Sequence, residues 1–154
     1  MEKNKNTRIL VLTTLLTIIA IALTLTTYGA LTSNKNISTT GGINVSANLG
    51  VYSDSACQTP ITTLNWGNLN PGATTTQTIY IKNTGAGVAL SLNMTTSLWN
   101  PSIANGPITV TWNKESTQLA PGDSTPAVLT LTVSSSITNV TTFSVQINLT
   151  GTES

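Results

Sequence analysis

From residue 43 onward, apolar and polar side chains alternate one for one. Ile43, Val45, Ala47, Leu49 and Val51 are separated by Asn44, Ser46, Asn48 and Gly50. Every second side chain of an extended chain points the same way, so a period of two predicts a strand with one buried face. The rhythm returns at Val88, Leu90, Leu92 and Met94, with Ala89, Ser91, Asn93 and Thr95 facing away. It returns again at Leu129, Leu131 and Val133, and at Phe143, Val145, Ile147 and Leu149. Shorter pieces lie at Leu64–Trp66, Ile79–Ile81 and Ile108–Trp112, and no stretch beyond Ala30 carries an apolar stripe of helical period.

Turn chemistry fills the gaps between these runs. Asn70-Pro71-Gly72, Asn83-Thr84-Gly85, Asn105-Gly106-Pro107 and Pro121-Gly122-Asp123 combine a preset φ at Pro with residues that accept positive φ. Short strands spaced by such turns predict an all-β fold, an antiparallel β-sandwich of Ig-like or jelly-roll-like type with seven to nine strands. Its expected core includes Leu90, Leu92, Trp112, Leu131, Val145 and Ile147. Trp66 and Trp112 continue the apolar faces of their strands and are expected to pack inside rather than stack on sugars; Trp99 is expected in a loop before Pro101. Composition agrees with strands: Ser and Thr supply 46 of the 154 residues, and β-branched side chains suit a pleated surface. The length suffices for one domain.

The first 30 residues follow a different rule. Lys3, Lys5 and Arg8 precede an uncharged apolar run, Ile9 to Ile19, and Ala20-Ile21-Ala22 then supplies a small-x-small cleavage pattern. This predicts a signal peptide over residues 1–22, or up to 30 if cleavage follows Gly29 or Ala30. An uncleaved anchor over residues 9–25 is the alternative, at the lower limit of a bilayer span. In both readings the remainder is extracellular or at the cell surface, and the membrane is a partner only during export or through an uncleaved signal.

Catalytic equipment is sparse. The chain has no His, so the usual general base and commonest metal ligand are missing. Cys57 is the single cysteine, able to pair only between molecules or to serve as a small buried apolar side chain. Asp54, Glu115, Asp123 and Glu153 are scattered, with no calcium-loop spacing and no evident acid pair. No enzyme activity, cofactor or metal site is expected. Beyond Leu23, Lys35, Lys82 and Lys114 face those four acids, a net of −1, which offers no footprint for nucleic acid and little self-repulsion against association. Five Asn-x-Ser/Thr sequons begin at Asn36, Asn44, Asn93, Asn139 and Asn148. Sixteen Asn in so Ser/Thr-rich a chain produce about that many by chance, but Asn44, Asn93 and Asn148 fall on polar strand faces and Asn139 in a loop, where a glycan spares the core.

Two segments share a plan: Leu69-Asn70-Pro71-Gly72 before a strand ending in Tyr80–Gly85 (YIKNTG), and Leu119-Ala120-Pro121-Gly122 before Ala127–Val133 (AVLTLTV). The order of an apolar strand (Gly41–Tyr52), then Asn65–Gly72 (NWGNLNPG), then a strand closed by KNTG resembles the camelysin/TasA group of secreted matrix-fibre proteins. Its related archaeal bundling-pilus and thread subunits are the nearer likeness, because the long charged insertions and His motif of the bacterial members are missing. The resemblance spans roughly Gly41 to Gly151. It implies a homopolymer built head to tail by donor-strand complementation, in filaments that can associate with neighbouring filaments. The residues permit this: after cleavage at Ala22, Leu23, Leu25, Thr27 and Leu31 share one side of an extended segment, followed by a polar linker. The expected organisation is residues 23–40 as donor strand and linker, and 41–154 as the sandwich. A membrane-anchored adhesion or carbohydrate-binding module is the other reading the residues allow.

Overall fold

The computed structural model describes residues 37–46 and 48–154, which form a two-layer β-sandwich. Asn36, the residues Leu23, Leu25, Thr27 and Leu31 of the expected donor strand, and the expected signal peptide lie outside the described residues. Among the described residues nine strands follow in order: β1 (Ile37–Val45), β2 (Leu49–Tyr52), β3 (Thr63–Leu69), β4 (Thr74–Asn83), β5 (Leu90–Asn100), β6 (Ile108–Trp112), β7 (Gln118–Leu119), β8 (Ser124–Val133) and β9 (Thr142–Glu153). One sheet has the order β3-β1-β9-β5-β7 and the other β2-β4-β8-β6. Each strand therefore lies in the opposite sheet from the one before it, and no two successive strands pair. Six of the seven pairings among the described residues are antiparallel; β1 and β9 run parallel, from Ser38↔Thr142 to Val45↔Leu149. That pairing departs from the all-antiparallel expectation. No hairpin sets the direction of any pair in this fold, so a parallel pair is open to it.

Inward-facing side chains of both sheets form one core that includes Leu90, Leu92, Leu131, Val145 and Ile147. Trp66 is 5% exposed and belongs to it as expected. Trp112 does not: it sits at the end of edge strand β6 and is half-buried, packed against the core from the side. Val88 lies ahead of β5 and is 42% exposed. Trp99 belongs to β5 and not to a loop, and its ring stacks on Phe143 with centroids 5.9 Å apart. Cys57 is half-buried in the β2–β3 loop at φ +54°, outside the core.

The first alternating run is two strands. It breaks where Asn48 takes φ 67°, a left-handed turn that Asn tolerates, and β2 crosses to the opposite sheet. Val45, next to the crossing, is 39% exposed. The phase of β1 is as expected, but the strand starts at Ile37, inside the expected linker. Ile37 and Thr39 are both buried there. Ser38 to Thr40 read as linker because they are polar; as β-branched or small residues they fit a strand held on both sides.

The two Leu-x-Pro-Gly segments form matching turns. In each, the residue before Pro accepts the amide of the residue after Gly, at 3.0 Å from Ala73 to Asn70 and 3.1 Å from Asp123 to Ala120. Gly72 and Gly122 have φ 83° and 78°, the signature of type II turns, which need glycine there. Gly72 N–H donates to the Val133 carbonyl at the end of β8, and Gly122 N–H donates to the Asn83 carbonyl at the end of β4. The turns thus cap the two ends of one strand pair.

This correspondence extends to the whole sandwich. Exchanging β1–β4 with β5–β8 reproduces both sheet orders, with β9 at the centre of the five-stranded sheet. The β4–β8 register is unchanged by a shift of 50 residues, since Thr74↔Thr132 becomes Ser124↔Lys82. Ile37 faces Leu69 as Leu90 faces Leu119, so Thr39 corresponds to Leu92 and Gly41 to Met94. The domain is two four-strand repeats around one unrepeated strand.

Candidate functional site

The repeats differ most at the sheet edge. In the first, β3 lies beside β1 from Ile37↔Leu69 to Gly42↔Thr63 and turns Leu64, Trp66 and Leu69 inward. A bulge between Thr39 and Thr40 accommodates the large Trp66, and Gly67 at φ 74° completes it. The indole lies over Gly41, where a Cβ would sit 3.2 Å from Trp66 Nε1. Trp66 Nε1 and Thr39 Oγ1 are buried without a hydrogen-bond partner among the described residues.

In the second repeat β7 is two residues long, facing Leu90 and Ser91 of β5. Backbone bonds to Ser116 and Thr117 extend the pairing as far as Leu92, at 2.8 and 2.9 Å. There the chain turns away, with Ser116 at φ 58° in the place that Trp66 holds in the first repeat. Alternation directs the next amides and carbonyls on this side of β5, those of Met94 and Thr96, toward an edge that no further strand occupies among the described residues. The space behind it is a cleft of about 270 Å³ lined by Met94, Val110, Thr111, Trp112 and Glu115. It opens between the edges of the two sheets.

Glu115 closes part of this edge with its side chain. Its Oε2 accepts the Trp112 indole N–H at 2.7 Å and the Met94 amide at 3.3 Å, and its Oε1 accepts from Asn93 Nδ2. A carboxylate thus occupies the position that a neighbouring strand's carbonyl takes in a ladder. Asp54, in the corresponding loop of the first repeat, serves its own loop instead. It accepts the amides of Thr59 and Gln58, and these bonds hold its carboxyl below the usual value of 3.8.

Beyond the cleft, β5 carries an irregularity. The β5–β9 register shifts between Ser97 and Asn100, and Leu98 within it has φ 50° and is 77% exposed. A bulky side chain at positive φ is strained, and exposing a leucine there adds apolar surface along the same edge. Ile103, in the 3-10 turn Ser102–Ala104 that follows, is also exposed.

The remaining sequence-derived residues stay apart. Asn44 and Asn148 are paired across β1 and β9 on the outer face of the five-stranded sheet, with Asn44 Nδ2 3.4 Å from Asn148 Oδ1. Asn148 is half-buried and its Nδ2 donates to Ser97 Oγ at 2.9 Å. Asn93 is engaged by Glu115, whereas Asn139 is exposed at φ 61° in the β8–β9 loop. Among the described residues no three His, Cys, Asp or Glu side chains converge, and no helix is long and apolar enough to cross a membrane. Glu115 and the β5 edge were missed in the sequence; the only signal was the shortness of the apolar run before Pro121 compared with that before Pro71. A scan of protein-family models finds none that matches this chain, and a search of curated proteins finds no match either.

Proposed function

We propose that this protein is the structural subunit of an extracellular filament, a homopolymer in which the N-terminal segment Leu23–Leu31 of one subunit adds a strand to the sandwich of the next. The observation that carries the reading is the β5 edge: on the side away from β9, pairing among the described residues stops after Leu92 although the strand continues to Asn100. An edge of this kind recruits an extended segment, which satisfies backbone and side chains together. Leu23, Leu25, Thr27 and Leu31 supply such a segment with one apolar side. The outer faces fit a polymer of neutral units: Thr74, Thr132 and Thr109 lie side by side across three strands, as do Thr76, Thr130 and Thr111.

Electron microscopy of the mature protein tests this. Unchanged protein forms filaments; Leu25→Lys abolishes them, because burying an unpaired ammonium costs several kcal/mol. Thr26→Lys, on the other face, leaves them intact. Abundant normal filaments from Leu25→Lys would refute the role of this segment.

A further inference from the structure

Four Asn-x-Ser/Thr triplets lie within the described residues, and the fold treats one of them differently from the other three. We propose that Asn139 is the residue of the folded domain that accepts an N-linked glycan, and that the sheet closes Asn44, Asn93 and Asn148 to it. Of the reading above this uses only export, because lipid-linked transfer takes place on the outer side of the membrane. It is independent of filament assembly.

Transfer joins the Asn carboxamide nitrogen to the anomeric carbon of an oligosaccharide carried on a lipid phosphate. The carbon–oxygen bond to the phosphate breaks, the lipid phosphate leaves with the bonding pair, and one amide proton passes to a base of the transferase. The chemistry sets three demands on a folded acceptor. Its amide nitrogen must be free to leave its place, the hydroxyl two residues on must be available for recognition, and the triplet must enter the enzyme as a separate extended segment.

The strand triplets do not meet these demands. Asn44 Nδ2 donates to Asn148 Oδ1 at 3.4 Å, Asn148 Nδ2 donates to Ser97 Oγ at 2.9 Å, and Asn93 Nδ2 donates to Glu115 Oε1. Two of the three hydroxyls are engaged as well. Ser46 Oγ accepts the Gly151 amide at 3.0 Å, and Thr150 Oγ1 donates to the Asn93 carbonyl at 3.4 Å. The backbones are tied together too: Asn148 stands between Asn44 of β1 and Thr95 of β5, and Asn93 faces Thr150. Drawing out any of these triplets opens the five-stranded sheet at its centre.

Asn139 lies between β8 and β9, outside every strand. Asn139 and Thr141 are both exposed, while Val140 between them is 1% exposed and pins the loop to the core. The side-chain hydrogen bonds of this loop among the described residues join Ser134 and Ser136 and reach neither Asn139 nor Thr141. A φ of 61° suits Asn better than most side chains, so the acceptor is presented without a neighbour having to move. An exposed loop site also carries a bulky, hydrated glycan without displacing core or ladder.

The experiment uses full-length protein carrying Asn36→Gln, so that only these four triplets remain. Folded protein is incubated with a purified oligosaccharyltransferase and its lipid-linked oligosaccharide, and the sites are mapped by glycopeptide mass spectrometry. Asn139 alone gains the glycan; Thr141→Ala abolishes the gain and Thr141→Ser restores it, with circular dichroism unchanged. Peptides cut from the same protein after Lys35, Lys82 and Lys114 are modified at Asn93 and Asn148 as well. A bare Asn139 in the folded protein overturns the site, and equal modification of Asn44, Asn93 or Asn148 overturns the shielding. Peptides modified at Asn139 alone show that local sequence and not the sheet makes the choice, which also overturns it. Protein recovered from outside the cells that make it carries the glycan at Asn139, and a bare Asn139 there overturns its use in the cell. A chain that stays inside the cell refutes export, an outcome distinct from any result of the transfer assay.

Discussion

In the first repeat β3 runs seven residues and seals the sandwich with Leu64 and Trp66, whereas in the second β7 runs two residues and leaves Met94 and Trp112 beside an open cleft. Among the described residues the same four-strand lattice is thus completed once and left incomplete once. The difference is greatest at the edge, since the central β4–β8 pair is symmetric in register and in its capping turns. Among the described residues one edge strand is thus long and closes the core, while the other is short and leaves a cleft.

The largest test of this contrast removes the two tryptophans in turn. Trp66→Ala should cost about 3–5 kcal/mol in denaturant unfolding, the range for deleting a large buried aromatic. Trp112→Ala, half-buried at the cleft, should cost about 1 kcal/mol. Equal losses would mean that the second edge is as closed as the first.

A second test exchanges a polar residue for its apolar counterpart. Asn83, fully buried at the end of β4, stands where the second repeat has Val133. Its Nδ2 donates to the carbonyls of Val88 and Leu119 at 3.0 Å each, and its Oδ1 accepts the Gly85 amide at 3.0 Å. This side chain ties the Lys82–Gly85 motif to the second Leu-x-Pro-Gly turn. Asn83→Val strands three backbone groups and should destabilise by about 2–4 kcal/mol. A neutral result would show that the connection after β4 needs no such tie.

The smallest expected effect has the opposite sign. Thr39 stands where the second repeat has Leu92, and its buried hydroxyl lacks a hydrogen-bond partner among the described residues. Thr39→Val keeps the shape and removes the unpaired group, so stability should rise by about 1 kcal/mol, read as a higher denaturant midpoint. A loss would mean that the hydroxyl has a partner in solution.

The strand faces were legible without the structure. Leu90, Leu92, Leu131, Val145 and Ile147 are all buried, because a period of two leaves no other way to hide an apolar row. The turns at Pro71-Gly72 and Pro121-Gly122 were legible too, since positive φ at the second central position selects Gly. Sequence reading failed at Ile37–Thr40, Val88 and Trp112, where local pattern and environment part company. Thr39 is polar but enclosed between two strands; Trp112 continues an apolar run but meets a vacated edge.

Which strands pair, and which edge is left open, was settled only in three dimensions. Backbone amides and carbonyls are the same at every residue but proline, so a strand's composition names its buried face and not its neighbour. The parallel place of β1 beside β9 and the truncated β7 depend on contacts between residues far apart in the chain. Side-chain alternation is a local property, and the sequence by itself determined it; edge completion is a property of the whole sheet, and only the tertiary structure decided it.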